Sequence, residues 1–138
     1  DTDVLLVTKT KVGSNSNTYI SKAVIASTGW GTPDDNASTH MVDTVKCGRF
    51  LNDQSMVAKV TERSHAEIKF LRECGVHFGM HANKPKVIKT PGHQYARHVY
   101  GENWSGSDLV IPLKRRARQV GVRFAEQVFV TRLFADDN

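Results

Sequence analysis

The chain has 138 residues, of which 39% are apolar and 24% charged, enough for one domain or one piece of a larger one. That balance excludes a disordered chain, and no apolar run approaches the roughly 20 residues that span a bilayer. Nineteen basic against fourteen acidic residues leave a net charge of +5, a modest excess that admits nucleic-acid binding without pointing to it.

The sequence opens on Asp1 with no charged-then-apolar leader, and the expectation is a piece cut from a longer chain. Cys47 and Cys74 make neither a disulfide framework nor a metal-ligand pair, so a reducing cytoplasm is the expected compartment.

Val4–Val7 is a continuous apolar run, which predicts a strand buried on both faces. Gly13-Ser14-Asn15-Ser16-Asn17 reads as a loop, Thr18 to Ser27 shows no clear period, and Gly29–Pro33 reads as a second loop. Asn36 or Ser38 can cap a short helix carrying Met41, Val42 and Val45 and ending at Gly48. Asn52 or Asp53 caps a longer one, with Val57, Val60, Ser64, Ile68 and Leu71 on one face and Gly75 as its stop.

Val76–Phe78 and Val87–Lys89 are candidate strands around a turn at Asn83-Lys84-Pro85, and Arg97–Tyr100 is another. Ser105 or Ser107 can cap a helix reaching about Gln119. Pro112 removes a backbone donor inside it, which predicts a late start near Ile111. Val122–Phe124 and Val128–Phe134 read as strands, and Asp136-Asp137-Asn138 as a turn. The fold class is mixed α/β, without a complete nucleotide-binding βαβ unit of its own.

The small, hydroxyl-rich segment Gly13–Thr18 follows a strand. In open α/β sheets ligands bind beyond the carboxyl ends of strands, and small residues let backbone amides approach an anion. Composition alone favours an ordinary solvated loop. Other candidates are weaker. His77 and His81 have a metal-ligand spacing, but Gly75 and Gly79 oppose a helix there and no third ligand stands out. His93, Tyr95 and His98 read as structural or solvent-exposed. Lys114-Arg115-Arg116-Ala117-Arg118 reads as the solvated face of a helix whose Leu113, Ala117 and Val120 turn inward. Asp34-Asp35 reads as a turn with no visible partner.

Several motifs in one order carry a resemblance. Val7-Thr8-Lys9, Ser16-Asn17-Thr18 and Ile25-Ala26 resemble a Val-Thr-Lys strand end, a Ser-His-Thr loop and a Gln-Gly-Gly-Ile turn. His40-Met41-Val42-Asp43-Thr44-Val45-Lys46 with Asp53-Gln54 resembles an Asp-Thr-Val-Lys helix and a Gly-Asp-Gln cap. Cys74–Phe78 is similar to Leu-Gly-Val-Pro-Phe. Gly92-His93, Arg97 and Ser105-Gly106 resemble a Gly-Gly-His…Arg…Thr-Gly segment, and Gly121-Val122 and Leu133…Asp136-Asp137 the strand pair after it. All belong to the succinate dehydrogenase/fumarate reductase flavoprotein subunits, whose superfamily includes L-aspartate oxidase.

The resemblance implies a partial FAD-binding, Rossmann-like domain plus the start of a capping domain. Residues 1–75 would belong to the FAD-binding domain from its second strand, 76–103 form an irregular hairpin segment, and 104–138 return to that domain or start the capping domain. Thr8 and Lys9 would lie near the adenosine ribose, Ser16, Asn17 and Thr18 against the flavin, Lys22 at the Gln-Gly-Gly turn, and the Val130 backbone at the adenine. Asn17 stands where respiratory members carry the flavin-tethering His, which implies non-covalent FAD. Ala23 and Val24 stand where that turn has its glycines, which places the flavin contact there in question.

The Gly-x-Gly-x-x-Gly turn would precede Asp1, and the substrate-binding His and Arg residues would follow Asn138. The implied function is a fragment of an FAD-dependent oxidoreductase acting on a dicarboxylate of the succinate/fumarate or L-aspartate type. It would be inactive in isolation, with an iron–sulfur subunit as a possible partner of the parent. The alternative is a non-catalytic basic module binding nucleic acid or a protein partner; the sequence implies no specific nucleic-acid site.

Overall fold

The computed structural model describes residues 2–134. In chain order its elements are β1 (Leu5–Thr8), α1 (Asn17–Ile20), β2 (Val24–Ala26), α2 (Ala37–Cys47), α3 (Gln54–Glu73), β3 (Met80–His81), β4 (Lys84–Pro85), β5 (His98–Tyr100), α4 (Ser107–Gln119) and β6 (Arg123–Glu126). The mixed α/β class expected from the sequence holds. Among the described residues no helix is long and apolar enough to cross a membrane.

β1 forms where the apolar run predicts a strand, and it pairs in parallel with β6, Leu5 opposite Arg123 and Thr8 opposite Glu126. Its expected burial on both faces is not found. Leu5 is 51% and Val7 41% exposed, because β6 is its only strand neighbour among the described residues. β2 and β5 pair antiparallel, Val24 opposite Tyr100 and Ala26 opposite His98.

Both central helices begin at the expected caps. Asn36 and Thr39 form a reciprocal capping box at α2, and Asp53 Oδ1 accepts from the Ser55 and Met56 amides at 2.9 and 3.1 Å at α3. Such a cap contributes about 1 kcal/mol. Cys74 ends α3 with Gly75 just beyond it at φ 91°, a left-handed conformation that glycine adopts without a Cβ penalty. The inward stripe of α3 differs from the expected one: Thr61, Ser64 and Ile68 are buried, whereas Val60 faces solvent.

Four further details depart from the sequence reading. The α1 turn lies in a stretch without period. The hairpin turns at Ala82-Asn83, with φ of 46° and 64°, so β3 and β4 are shorter than the expected strands and lie closer to the turn, β3 later and β4 earlier in the chain; Phe78 and Ile88 make only isolated bridges, to Gly101 and His98. α4 starts at Ser107 and carries Pro112 internally. Leu109 is its buried residue, and Val120, expected inside, is exposed. Residues 128–134 form no strand, and the expected turn at 136–138 lies outside the described residues.

Ala23, Ile68, Val76, Phe78, Val99 and Leu109 make the core. It sits between α3, the β2/β5 pair and the start of α4, and it fixes the turn that carries Lys22, Ala23 and Val24.

Candidate functional site

The segment 9–16 leaves the carboxyl end of β1 beside the carboxyl end of β6. Glu126 Oε1 accepts from the Val12 amide at 2.8 Å and from Lys114 Nζ at 3.4 Å. The Val12 N–H, and after it Lys114, hold the Glu126 carboxyl below its ordinary range. The Val128 amide donates to the Thr8 carbonyl at 3.0 Å, and Lys9 Nζ lies 6.0 Å from the Phe129 ring centroid. Thr8, Lys9 and the chain leading to Val130 therefore meet at one sheet end. Thr8 is half-buried, and Lys9 and Val130 are exposed.

Ser16, Asn17, Thr18 and Lys22 form a second group and are all exposed. Ser16 Oγ caps α1 by accepting from the Tyr19 amide at 3.1 Å. The Gly106 amide donates to the Ser21 carbonyl at 2.8 Å, so α1 rests on the start of α4. The approach is close enough that a Cβ on Gly106 would collide with the Thr18 carbonyl. Substituting Gly106→Ala should therefore push α1 off α4 and cost about 1–3 kcal/mol, as overpacking does. Denaturant unfolding measures the loss, and faster proteolytic cleavage at residues 16–22 locates it.

Ala23 and Val24 part ways at the turn. Ala23 has φ 49°, the left-handed region that costs a non-glycine residue about 1–2 kcal/mol. Its methyl is 3% exposed and belongs to the core, so it does not obstruct the surface of the turn. Val24 is exposed and lines a groove of about 640 Å³ between β2, α2 and α3.

Behind that groove lies a polar cluster that sequence reasoning missed. Arg97 is 0% exposed. Its Nη2 lies 2.8 Å from Asp35 Oδ1 and its Nη1 2.9 Å from Asp43 Oδ2. Nε donates to Asp35 Oδ2 at 3.2 Å, and His93 Nδ1 is 3.2 Å from Nη1. Asp43 Oδ2 also accepts from the Gln94 amide at 2.8 Å. Asp35 is thus no free turn residue; it is half of a buried ion pair.

His40 and His93 border the same groove, and His93 and His98 meet edge to face with centroids 4.5 Å apart. His40 is 3% exposed, and its Nδ1 has no hydrogen-bond partner among the described residues. Burial, then repulsion by Arg97, lowers its pKa to about 4. Burial and Arg97 lower His93 too, and burial and His93 lower His98. Of the three buried residues of α2, His40, Asp43 and Val45, the two spaced three apart, His40 and Asp43, are polar. That was the available signal for a buried network.

The remaining candidates stay apart. His77 and His81 are both exposed, and among the described residues no three His, Cys, Asp or Glu side chains are grouped to hold a metal. In the basic stretch Lys114 pairs with Glu126, and the Arg118 guanidinium lies 5.1 Å from the Phe124 ring centroid.

The FAD binding domain family matches residues 1–138. The chain belongs to that family. Its cofactor is FAD. The L-aspartate oxidase of Agrobacterium fabrum is 31% identical over 139 residues, covering 98% of this chain and 26% of the relative. That of Pyrococcus furiosus is 30% identical over 122 residues, covering 83% and 24%. A mutated quinol fumarate reductase chain of E. coli superposes with a TM-score of 0.88 at 20% identity, covering 98% of this chain and 23% of that one; at that identity the likeness shows the fold. The chain spans about a quarter of the length of the curated relatives it matches.

Proposed function

We propose that this chain is part of an FAD-dependent oxidoreductase acting on a dicarboxylate of the succinate/fumarate or L-aspartate type. The observation that carries the reading is the family match over all 138 residues, joined to a parallel β1/β6 pair whose carboxyl end is open. The pairing supports assigning both the first segment and residues 107–126 to the FAD-binding domain. The exposed Leu5–Val7 face suits cover by further strands and helices of a longer protein.

The residues fit the cofactor. The Thr8 hydroxyl and the Lys9 ammonium stand at the sheet end where a ribose or phosphate would be held, with the Val130 backbone beside them. Asn17, Thr18 and Lys22 present an amide, a hydroxyl and an ammonium at α1 and the turn after it, and Ser16 stays in place as the cap. Ala23, turned into the core, leaves that turn open, and Val24 gives it an apolar wall. When bound, FAD supplies the hydride chemistry; the protein binds and orients it.

Asn17 has no nucleophile to offer the flavin, so the cofactor is held non-covalently. Purified full-length protein should show flavin absorbance and release all of its flavin on acid or heat denaturation; fluorescence that stays with the polypeptide on a denaturing gel refutes non-covalent binding. The 138-residue chain alone should turn over neither succinate, fumarate nor aspartate when FAD is added, since the resemblance assigns the dicarboxylate-binding His and Arg residues to positions beyond Asn138. Turnover above the protein-free rate would show that the chemistry resides within these residues.

A further inference from the structure

Among the described residues β2 has one free edge, and the groove beside it continues further than the site requires. The Ser27 amide donates to the Arg97 carbonyl, and the Gly101 amide to the Ala23 carbonyl. In an antiparallel ladder the residues that exchange bonds alternate, so Ala23, Ile25 and Ser27 face β5. Val24 and Ala26 therefore turn their N–H and C=O groups the other way, toward α3. There a 640 Å³ groove lined by Val24, Ile25, Ala26, Met56, Val57 and Val60 meets a second of about 320 Å³, lined by Ile25, Ala26, Val60, Ile68 and Leu71. The shared Ile25, Ala26 and Val60 make them one trough along β2. Met56 and Val60 on its wall are 57% and 58% exposed. Asn52 Oδ1 and His40 Nδ1, both buried without partners among the described residues, belong to residues lining the first groove.

We infer that this trough receives an extended segment of the same polypeptide from outside these 138 residues, added as a third strand on β2. A row of alternating backbone donors and acceptors along an apolar trough is specific for another peptide backbone: the ladder satisfies the Val24 and Ala26 groups, and alternate apolar side chains cover Met56 and Val60. A strand of this kind also brings polar groups within reach of Asn52 and His40. The inference rests on reading the chain as about a quarter of a longer flavoprotein, since about three-quarters of the relatives' own length lies outside the matched part and the segment can come from there.

The test is residue-resolved hydrogen exchange on the full-length, flavin-loaded protein. The Val24 and Ala26 amides should exchange at least about 100-fold more slowly than unstructured reference amides, and Ala26→Pro, which deletes one donor on this edge and none facing β5, should speed exchange at Val24 at least tenfold. Protein that carries flavin but exchanges Val24 and Ala26 at the reference rate overturns the added strand and leaves the flavoprotein reading intact. Protection unmoved by Ala26→Pro means that side chains or a helix cover the trough, and also overturns it. Protection lost on dilution assigns the trough to a second copy and overturns the added strand from the same polypeptide. A parent reading frame no longer than these residues removes the segment altogether.

Discussion

Replacing Arg97 with methionine should destabilise the protein by about 3–5 kcal/mol, the cost of breaking a buried ion pair from one side. The magnitude follows from what remains: Asp35 and Asp43, both buried, would lose the only cation within ion-pair distance of them among the described residues. Methionine fills much of the volume, so a cavity contributes little and the measured loss reports charge. A second variant checks the cause. Adding Asp35→Asn and Asp43→Asn to Arg97→Met removes the stranded charges and should recover at least half of the loss, because replacing all members of a buried pair is far milder than removing one. Arg97→Lys should recover little, since an ammonium cannot reproduce the forked contact to Asp35. Denaturant unfolding of the four proteins measures this; a triple variant no more stable than the single one would mean that Arg97 acts through packing.

The cluster also shows where the sequence was legible and where it was not. Caps and stops are local chemistry, so Asn36, Asp53 and Gly75 could be read from neighbours three or four residues away. The Asp35–Arg97 pair joins residues 62 apart, and no local pattern carries that. Asp35 looked like a turn residue because acidic residues beside Pro and Gly usually are. The motif order Val7-Thr8-Lys9, Asp43-Thr44, Arg97, Ser105-Gly106 led to the right family, but a motif does not say that its Asp and its Arg touch. The continuous run Val4–Val7 gave the correct strand and the wrong burial for a single reason. Such a run reports a strand meant to be covered on both faces, and within these residues β1 has β6 alone beside it. Pro112 misled because its cost was set against helix propensity alone, whereas the packing of Leu109 holds the first turn of α4.

Acid should loosen the link between α2 and β5 before the carboxylates of the fold are titrated. His40 on α2 interacts with charged and titratable side chains from several elements: Arg97 and His98 from the β5 region, His93 from the preceding loop and Asp35 from the segment before α2. Its pKa falls from 6.5 to about 4 because burial disfavours the imidazolium and Arg97 repels it, with only Asp35 pulling the other way. The folded state thus binds a proton less readily than the unfolded chain. Its full stability is present above pH about 6.5, and it is lost as pH falls toward the folded value, since the unfolded state takes up the proton first. At about 1.4 kcal/mol per pH unit, His40 alone removes up to about 3 kcal/mol over that window. His93 and His98, lowered in the same direction, steepen the fall. Urea unfolding at pH 7, 6, 5 and 4 gives the slope, and His40→Gln, which cannot take a proton, should flatten it. Equal slopes in the two proteins would place the acid sensitivity elsewhere. A flatter slope in H40Q, together with the Arg97 series, would establish that the link between α2 and β5 is held by one guanidinium among histidines kept neutral by burial.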